Sequence, residues 1–281
     1  MKAKDYLSAN YKEKTAQTYY VEWLDFIAYL ETLGRSPENT DYDLVLDYIG
    51  SLQKRNLNPR SINRKLMIIE KVFMGIKVVE PNPVQGLRLK NAQDKPLPEP
   101  LNYERLSQYL SAFPTETAIQ YRNKIILSLI HHQALRASEI IKLKINDIKL
   151  SSGELQVPSV LRNQPRRLDL LASQILDLQY YINEIRPQFD NNTDLLFVPS
   201  GSAKSLNNSL MKLKSQLQKQ LPKLQNLAHW RSSVIVHWLD SQSLLAVQKK
   251  LGHRYPSSTE RYKIHVVKSL QEELNLHHPL Q

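Results

Sequence analysis

The sequence predicts a mostly α-helical protein, with an N-terminal helical domain followed by an α-rich domain that carries a small three-stranded antiparallel sheet. Three observations carry that expectation. Apolar residues recur at spacings of three and four over most of the 281 residues, the period of a helix with one buried face. Strand signals cluster in one place, at 147–150, 155–157 and 167–171, the first two flanking a Ser-Ser-Gly turn. A basic stretch, 88–100, holds Pro96, Pro98 and Pro100, and proline blocks helix at itself and disfavours it at the residue before. It reads as an extended linker between domains at 1–87 and 101–281.

Each element has its own signal. Over 15–34, Tyr20, Trp23, Leu24, Ile27 and Leu30 make an inward stripe, and Gly34 stands where a C-terminal cap belongs. A second helix is expected over 40–54, with Leu44, Val45, Tyr48, Ile49 and Leu52 inward. The third opens with Asn58 as cap and Pro59 in the first helical position, and buries Ile62, Leu66, Ile69, Phe73 and Ile76. Its other face shows Arg60, Arg64, Lys65 and Lys71, either a solvated face or contacts to a DNA backbone; Lys90 belongs to the basic linker, which either wraps part of a duplex or only connects the domains. Asn102 caps a helix running to about residue 112, and a long helix is expected over 116–132 with Ile119, Ile125, Ile126, Leu129 and Ile130 inward. A short helix begins at Arg136. Beyond the strands, helices are expected at 172–185, 205–220, 228–239, 244–251 and 256–262, and a last amphipathic segment at 266–276.

Composition narrows function. The chain has 38 Lys and Arg against 27 Asp and Glu, a formal charge of +11, the electrostatic footprint of a protein that neutralises phosphates along a nucleic acid. Cysteine is absent, which excludes disulfides, thiolate metal sites and cysteine nucleophiles and fits a reducing cytoplasm. The charged N-terminus leads into no apolar stretch of signal-peptide length, and no run long enough to cross a membrane occurs, so a soluble cytoplasmic protein is expected. Neither glycine-rich phosphate motif is present, and Asp and Glu form no obvious inward cluster, so no nucleotide or metal cofactor is expected.

Five short motifs then fall in a telling order. They are Ser61-Ile62-Asn63-Arg64-Lys65-Leu66 with Asn82-Pro83-Val84-Gln85-Gly86-Leu87, Leu135-Arg136-x-x-Glu139-x-x-x-Leu143, Arg231-Ser-Ser-Val-Ile-Val-His-Trp-Leu239, Leu251-Gly252-His253, and Tyr262 nine residues after His253. Together they resemble the tyrosine recombinases, the phage-integrase and Xer-type family, over nearly the whole chain. The resemblance implies a core-binding helical domain at 1–87 and a catalytic domain at 101–281 whose last helix exchanges between protomers. It implies Tyr262 as the nucleophile, Arg136 and Arg231 as a phosphate clamp and His253 as a donor. It also implies double-stranded DNA with inverted half-sites as partner and a tetrameric synapse, with neither metal nor nucleotide needed.

The residue types suit that chemistry. A phenol with a pKa of about 10 can both attack phosphorus and leave again. Each guanidinium offers a planar, permanently charged fork to phosphate oxygens. From the residues alone Arg136 has a second reading, a surface pair with Glu139.

Two positions that matter for the chemistry depart from the family. Its usual His-x-x-Arg places Ala228 where histidine is expected, while His229 stands one residue on, about 100° around a helix, as a candidate substitute. The hairpin lysine expected to protonate the leaving oxygen falls at Arg162, and no lysine occurs between Lys149 and Lys204. Arginine stabilises negative charge but is a poor proton donor. Arg166 and Arg167 are then expected to contact DNA from the hairpin, with a shorter hairpin that turns Arg166 inward as the alternative. Gln133-Ala134 replaces the family's Thr-Gly, expected to be a packing change.

Overall fold

A computed structural model describes residues 3–90, 97–159, 163–189, 192–199, 203 and 205–266. Its contacts divide the chain into two compact units, Met1–Pro96 and Leu97–Gln281.

The first unit is built from four helices, α1 (Ala3–Asn10), α2 (Glu13–Thr32), α3 (Tyr42–Lys54) and α4 (Pro59–Ile76). Asp41 and Asn58 cap α3 and α4 by accepting N–H bonds from Leu44 at 2.8 Å and Ser61 at 2.9 Å. The core stripe of α2 is Ala16, Trp23, Phe26 and Leu30, whereas Leu24, expected inward, is 45% exposed. The phase is decided by aromatic packing: Phe26 stands edge-on to Tyr48 at 5.0 Å, and Trp23 edge-on to Phe73 at 5.7 Å. The sequence reading misses α1, which buries only Leu7 of its eight residues. It lies against α4 where Gly75 leaves room for the Tyr6 ring; a Cβ at Gly75 would stand 2.0 Å from that ring.

Lys65 corrects an expectation here. It is buried, and its ammonium lies between Glu22 and Asp25, 2.8 Å from the latter. A side chain so enclosed is unavailable to DNA, because leaving would strand two carboxylates.

The second unit packs α5 (Tyr103–Ser111), α6 (Ala118–Gln133), α7 (Ala137–Ile140), α8 (Ala172–Tyr180), α9 (Leu206–Gln220), α10 (Leu227–Ser241), α11 (Leu244–Leu251) and α12 (Ser257–Glu260) around one core. The sheet is β1 (Ile148–Lys149), β2 (Glu154–Val157) and β3 (Arg166–Asp169), in that order and antiparallel. Ile148, Leu155 and Leu168 stand opposite one another in register and face the core. At its centre α6 contributes Ile125, Ile126, Leu129 and Ile130, and α10 contributes Trp230, Val234 and Ile235. Ile119, expected inward, is 44% exposed, because the helix starts at a Thr117–Gln120 capping box and spends its first turn at the surface. The helix expected over 172–185 changes at Tyr181 into a π-helical turn, Tyr181–Ile185. Among the described residues no helix is long and apolar enough to cross a membrane. Beyond Val266, the segment expected to exchange between protomers lies outside the described residues.

Candidate active site

The site begins at the corner between α6 and α7. Ala134 caps α6 in the left-handed conformation, φ 48° and ψ 40°, and this turn places Arg136 at the N-cap of α7. The Arg136 N–H donates to Glu139 Oε2 at 2.8 Å. The surface pair between the two side chains does not form. Glu139 is fully buried, and its carboxylate accepts from Arg166 Nη1 at 2.8 Å, Arg166 Nη2 at 3.1 Å and Asn163 Nδ2 at 2.9 Å. Burial opposes ionisation of Glu139, but the hydrogen bonds and charge of Arg166 outweigh it and hold the carboxyl below its usual range. Arg136 is therefore left half-buried, with no carboxylate partner among the described residues.

Arg231 enters from α10. It is 5% exposed, its Nε donates to the Ala134 carbonyl at 2.6 Å, and its Nη2 finds no partner among the described residues. Burial pushes this guanidinium down to about 10; the phenol of Tyr262 works against the shift and Arg136 adds to it. A desolvated cation with an unused donor is a ready seat for an anion.

His253 follows α11, whose end is capped by Gly252 at φ 64°. Glycine is required there twice over, since a Cβ would also stand 2.8 Å from the Gln164 carbonyl and 3.1 Å from Arg166. The His253 ring is buried, with Nδ1 2.8 Å from Thr259 Oγ1, and Gln248 Nε2 donates to its carbonyl at 3.1 Å. Burial, then the charges of Arg231, Arg136 and Arg166, push the imidazole down to about 3, so it is neutral. Tyr262 comes just after α12, half-buried against the core, its N–H donating to the Thr259 carbonyl at 3.1 Å. Arg136, Arg231, His253 and Tyr262, from four separate stretches, thus share one electrostatic neighbourhood.

The other expected residues are placed elsewhere. His229 lies two positions before Arg231, about 200° around the helix. Its Nδ1 accepts the Gln225 N–H at 3.2 Å, and Nε2 is 2.7 Å from the Glu99 carbonyl. Both ring nitrogens are committed, so His229 does not substitute for a histidine at Ala228, which is exposed. A cleft of about 730 Å³ opens beside His229, lined by Pro98, Pro100, Arg105, Leu106 and Pro222, away from Arg231. Arg166 is a second correction. Its guanidinium forks onto Glu139 and its Nε donates to the Lys250 carbonyl at 2.6 Å, so it braces β3 against α7 and α11 rather than facing DNA. Arg167, next along the strand, points outward opposite Gln156. Arg60 and Lys90 are exposed, Arg64 pairs at the surface with Glu22 at 3.2 Å, and Lys71 sits over the Tyr11 ring at 5.4 Å. Arg162 lies outside the described residues. Sequence reasoning missed Thr259 and Asn163, both short polar residues that become informative only through contacts across loops.

Comparison with known proteins defines the class. The phage integrase family profile matches residues 100–268, and the chain belongs to that family, the tyrosine recombinases. The chain is 25% identical to the tyrosine recombinase XerD of Listeria innocua, over 97% of this chain and 94% of that one. It is 26% identical to the tyrosine recombinase XerC of Psychromonas ingrahamii, over 88% and 84%. Among solved structures, the fold matches XerH site-specific recombinase bound to palindromic difH substrate in a post-cleavage complex, with a TM-score of 0.69 and 21% identity over 92% of this chain and 78% of that one. It also matches the Tn1549 transposon integrase in complex with transposon right end DNA, with a TM-score of 0.68 and 16% identity over 99% of both chains.

Proposed function

We propose that the protein recombines double-stranded DNA at specific sites, cutting and rejoining strands through a covalent 3′-phosphotyrosyl intermediate on Tyr262. The observation that carries this reading is the convergence of Arg136, Arg231 and His253 on the neighbourhood of Tyr262, with the buried Arg231 Nη2 unused. The Tyr262 phenol oxygen attacks the scissile phosphorus and gives up its proton, the bond from phosphorus to the 5′-oxygen breaks, and that oxygen gains a proton as it leaves. Arg136 and Arg231 neutralise the charge that builds on the non-bridging oxygens, and His253 donates to one of them. The phosphodiester energy is kept in the tyrosyl ester, so a partner strand's 5′-hydroxyl reverses the step without a nucleotide. Arg162 is the hairpin candidate for charge stabilisation at the leaving oxygen. Arg60, Arg64, Lys71, Lys90 and Arg167 are candidates for phosphate contacts on inverted half-sites, and four protomers assemble the synapse in the cytoplasm.

A second reading has a specific observation behind it. Ala228 offers only a methyl on the Arg231 face, and the hairpin holds no lysine, so a DNA-binding module with little cleavage remains the alternative. One experiment separates them. On nicked duplexes carrying a site selected from random-sequence DNA, the wild type forms a covalent protein–DNA adduct, and Tyr262→Phe forms none while binding equally well. Tight binding by the wild type without any adduct supports the module.

A further inference from the structure

We propose that Thr259 is a positioning residue whose hydroxyl fixes the tautomer of His253, so that the imidazole offers a protonated Nε2 to the DNA phosphate. The proposal rests on the recombinase reading for its consequence, but the hydrogen-bond argument stands by itself. Thr259 is fully buried, and its Oγ1 lies 2.8 Å from His253 Nδ1. The hydroxyl makes no other hydrogen bond among the described residues. Two arrangements are available. If Nδ1–H donates to Thr259, the threonine O–H is left buried with nothing to donate to, which costs about 1–3 kcal/mol. If Thr259 O–H donates to Nδ1, both groups are satisfied, and the single proton of a neutral imidazole sits on Nε2.

The second arrangement also suits the substrate. A neutral ring with its lone pair at Nε2 repels a phosphate oxygen, whereas Nε2–H donates to it. The ring stays neutral because it is buried beside three arginines. Two other buried histidines show the same pattern. His131 Nδ1 accepts from Trp230 Nε1 at 3.3 Å while its Nε2 meets Ser107 Oγ at 3.0 Å, and His229 Nδ1 accepts from the Gln225 N–H. Thr259 further accepts the Tyr262 N–H through its carbonyl, so one residue holds the donor by its side chain and the nucleophile by its backbone.

The test uses nitrogen–proton correlation spectra of the full chain at neutral pH, with the His253 signals identified by their loss in His253→Gln. The wild type should show an unprotonated Nδ1 and a protonated Nε2. Thr259→Val, similar in volume without the hydroxyl, should give a mixture of tautomers and a single-turnover cleavage rate lower by on the order of ten-fold with DNA affinity unchanged. Thr259→Ser should restore both. A wild-type ring protonated at Nδ1 overturns the proposal, as does a Thr259→Val protein with unchanged tautomer and rate. Should Thr259→Val fail to fold, the wild-type and Thr259→Ser spectra still decide. A wild type that binds DNA but forms no adduct sinks the recombinase reading and leaves the nitrogen signals to judge Thr259.

Discussion

Ala134 holds a backbone conformation that suits glycine, φ 48° and ψ 40°, in a fully buried position whose carbonyl anchors Arg231. The left-handed region costs an alanine roughly 1–2 kcal/mol, and glycine gives back about half of that through its freer unfolded chain. The buried methyl that glycine gives up, worth about 0.8 kcal/mol, offsets most of the remainder. Ala134→Gly should therefore change stability by less than about 1 kcal/mol in urea unfolding, and a loss above about 2 kcal/mol would refute strain at this corner. The sequence shows Ala134 only as a substitution in a motif and invites a packing explanation, because φ is not written in composition. The same limit applies to Arg136. Its motif is legible, but the reason it stays free of Glu139 is Arg166, 27 residues beyond Glu139 in sequence. For Lys65 the misleading signal is position: it falls on the basic side of α4, yet Glu22 and Asp25 on α2 draw its ammonium inward.

Among the elements, the brace between β3, α7 and α11 is what assembles the site. The strand expected to begin at Arg167 begins at Arg166, and alternation along β3 then sends Arg166 and Leu168 inward and Arg167 outward. A strand begun one residue later leaves Arg166 outside the alternation and open to a DNA-facing expectation, whereas the inward alternative is the one the strand adopts. Arg166→Ala leaves Glu139 charged and buried without its partner, a change that typically costs about 3–5 kcal/mol. Chemical unfolding that shows a loss under 1 kcal/mol would mean the brace is replaceable. Helices with capping residues and long apolar stripes, such as α3, α4 and α5, are legible to within a residue or two. Shortness alone does not hide a helix, since α11 has eight residues and is legible at both ends; α1, of the same length, is missed because it has one fully buried side chain and therefore no period to detect.

For the molecule as a whole, buried neutral histidines set the response to acid. Burial pushes His131 down to about 4, with His132 and His237 adding to the shift, and His253 lies lower still. Their folded values are below the ordinary value of about 6.5, so the unfolded chain takes up more protons as pH falls. The stability they contribute is complete above pH 6.5 and is lost as pH falls, toward 4 for His131 and toward 3 for His253. At pH 5, His131 alone accounts for a loss on the order of 2 kcal/mol. Urea unfolding of a Trp23→Phe protein, which leaves only Trp230 and Trp238 as tryptophan reporters, should show a lower midpoint at pH 5 than at pH 7; equal midpoints would contradict it.

The unused Nη2 of Arg231 has a thermodynamic counterpart. A buried cation with a spare donor makes the empty protein less stable than its packing would allow, and an anion seated there returns that stability by mass action. Substrate and fold are then linked quantities: each phosphate contact that tightens DNA binding also resists unfolding. Selection on recombination and selection on stability act, at this residue, on the same free energy.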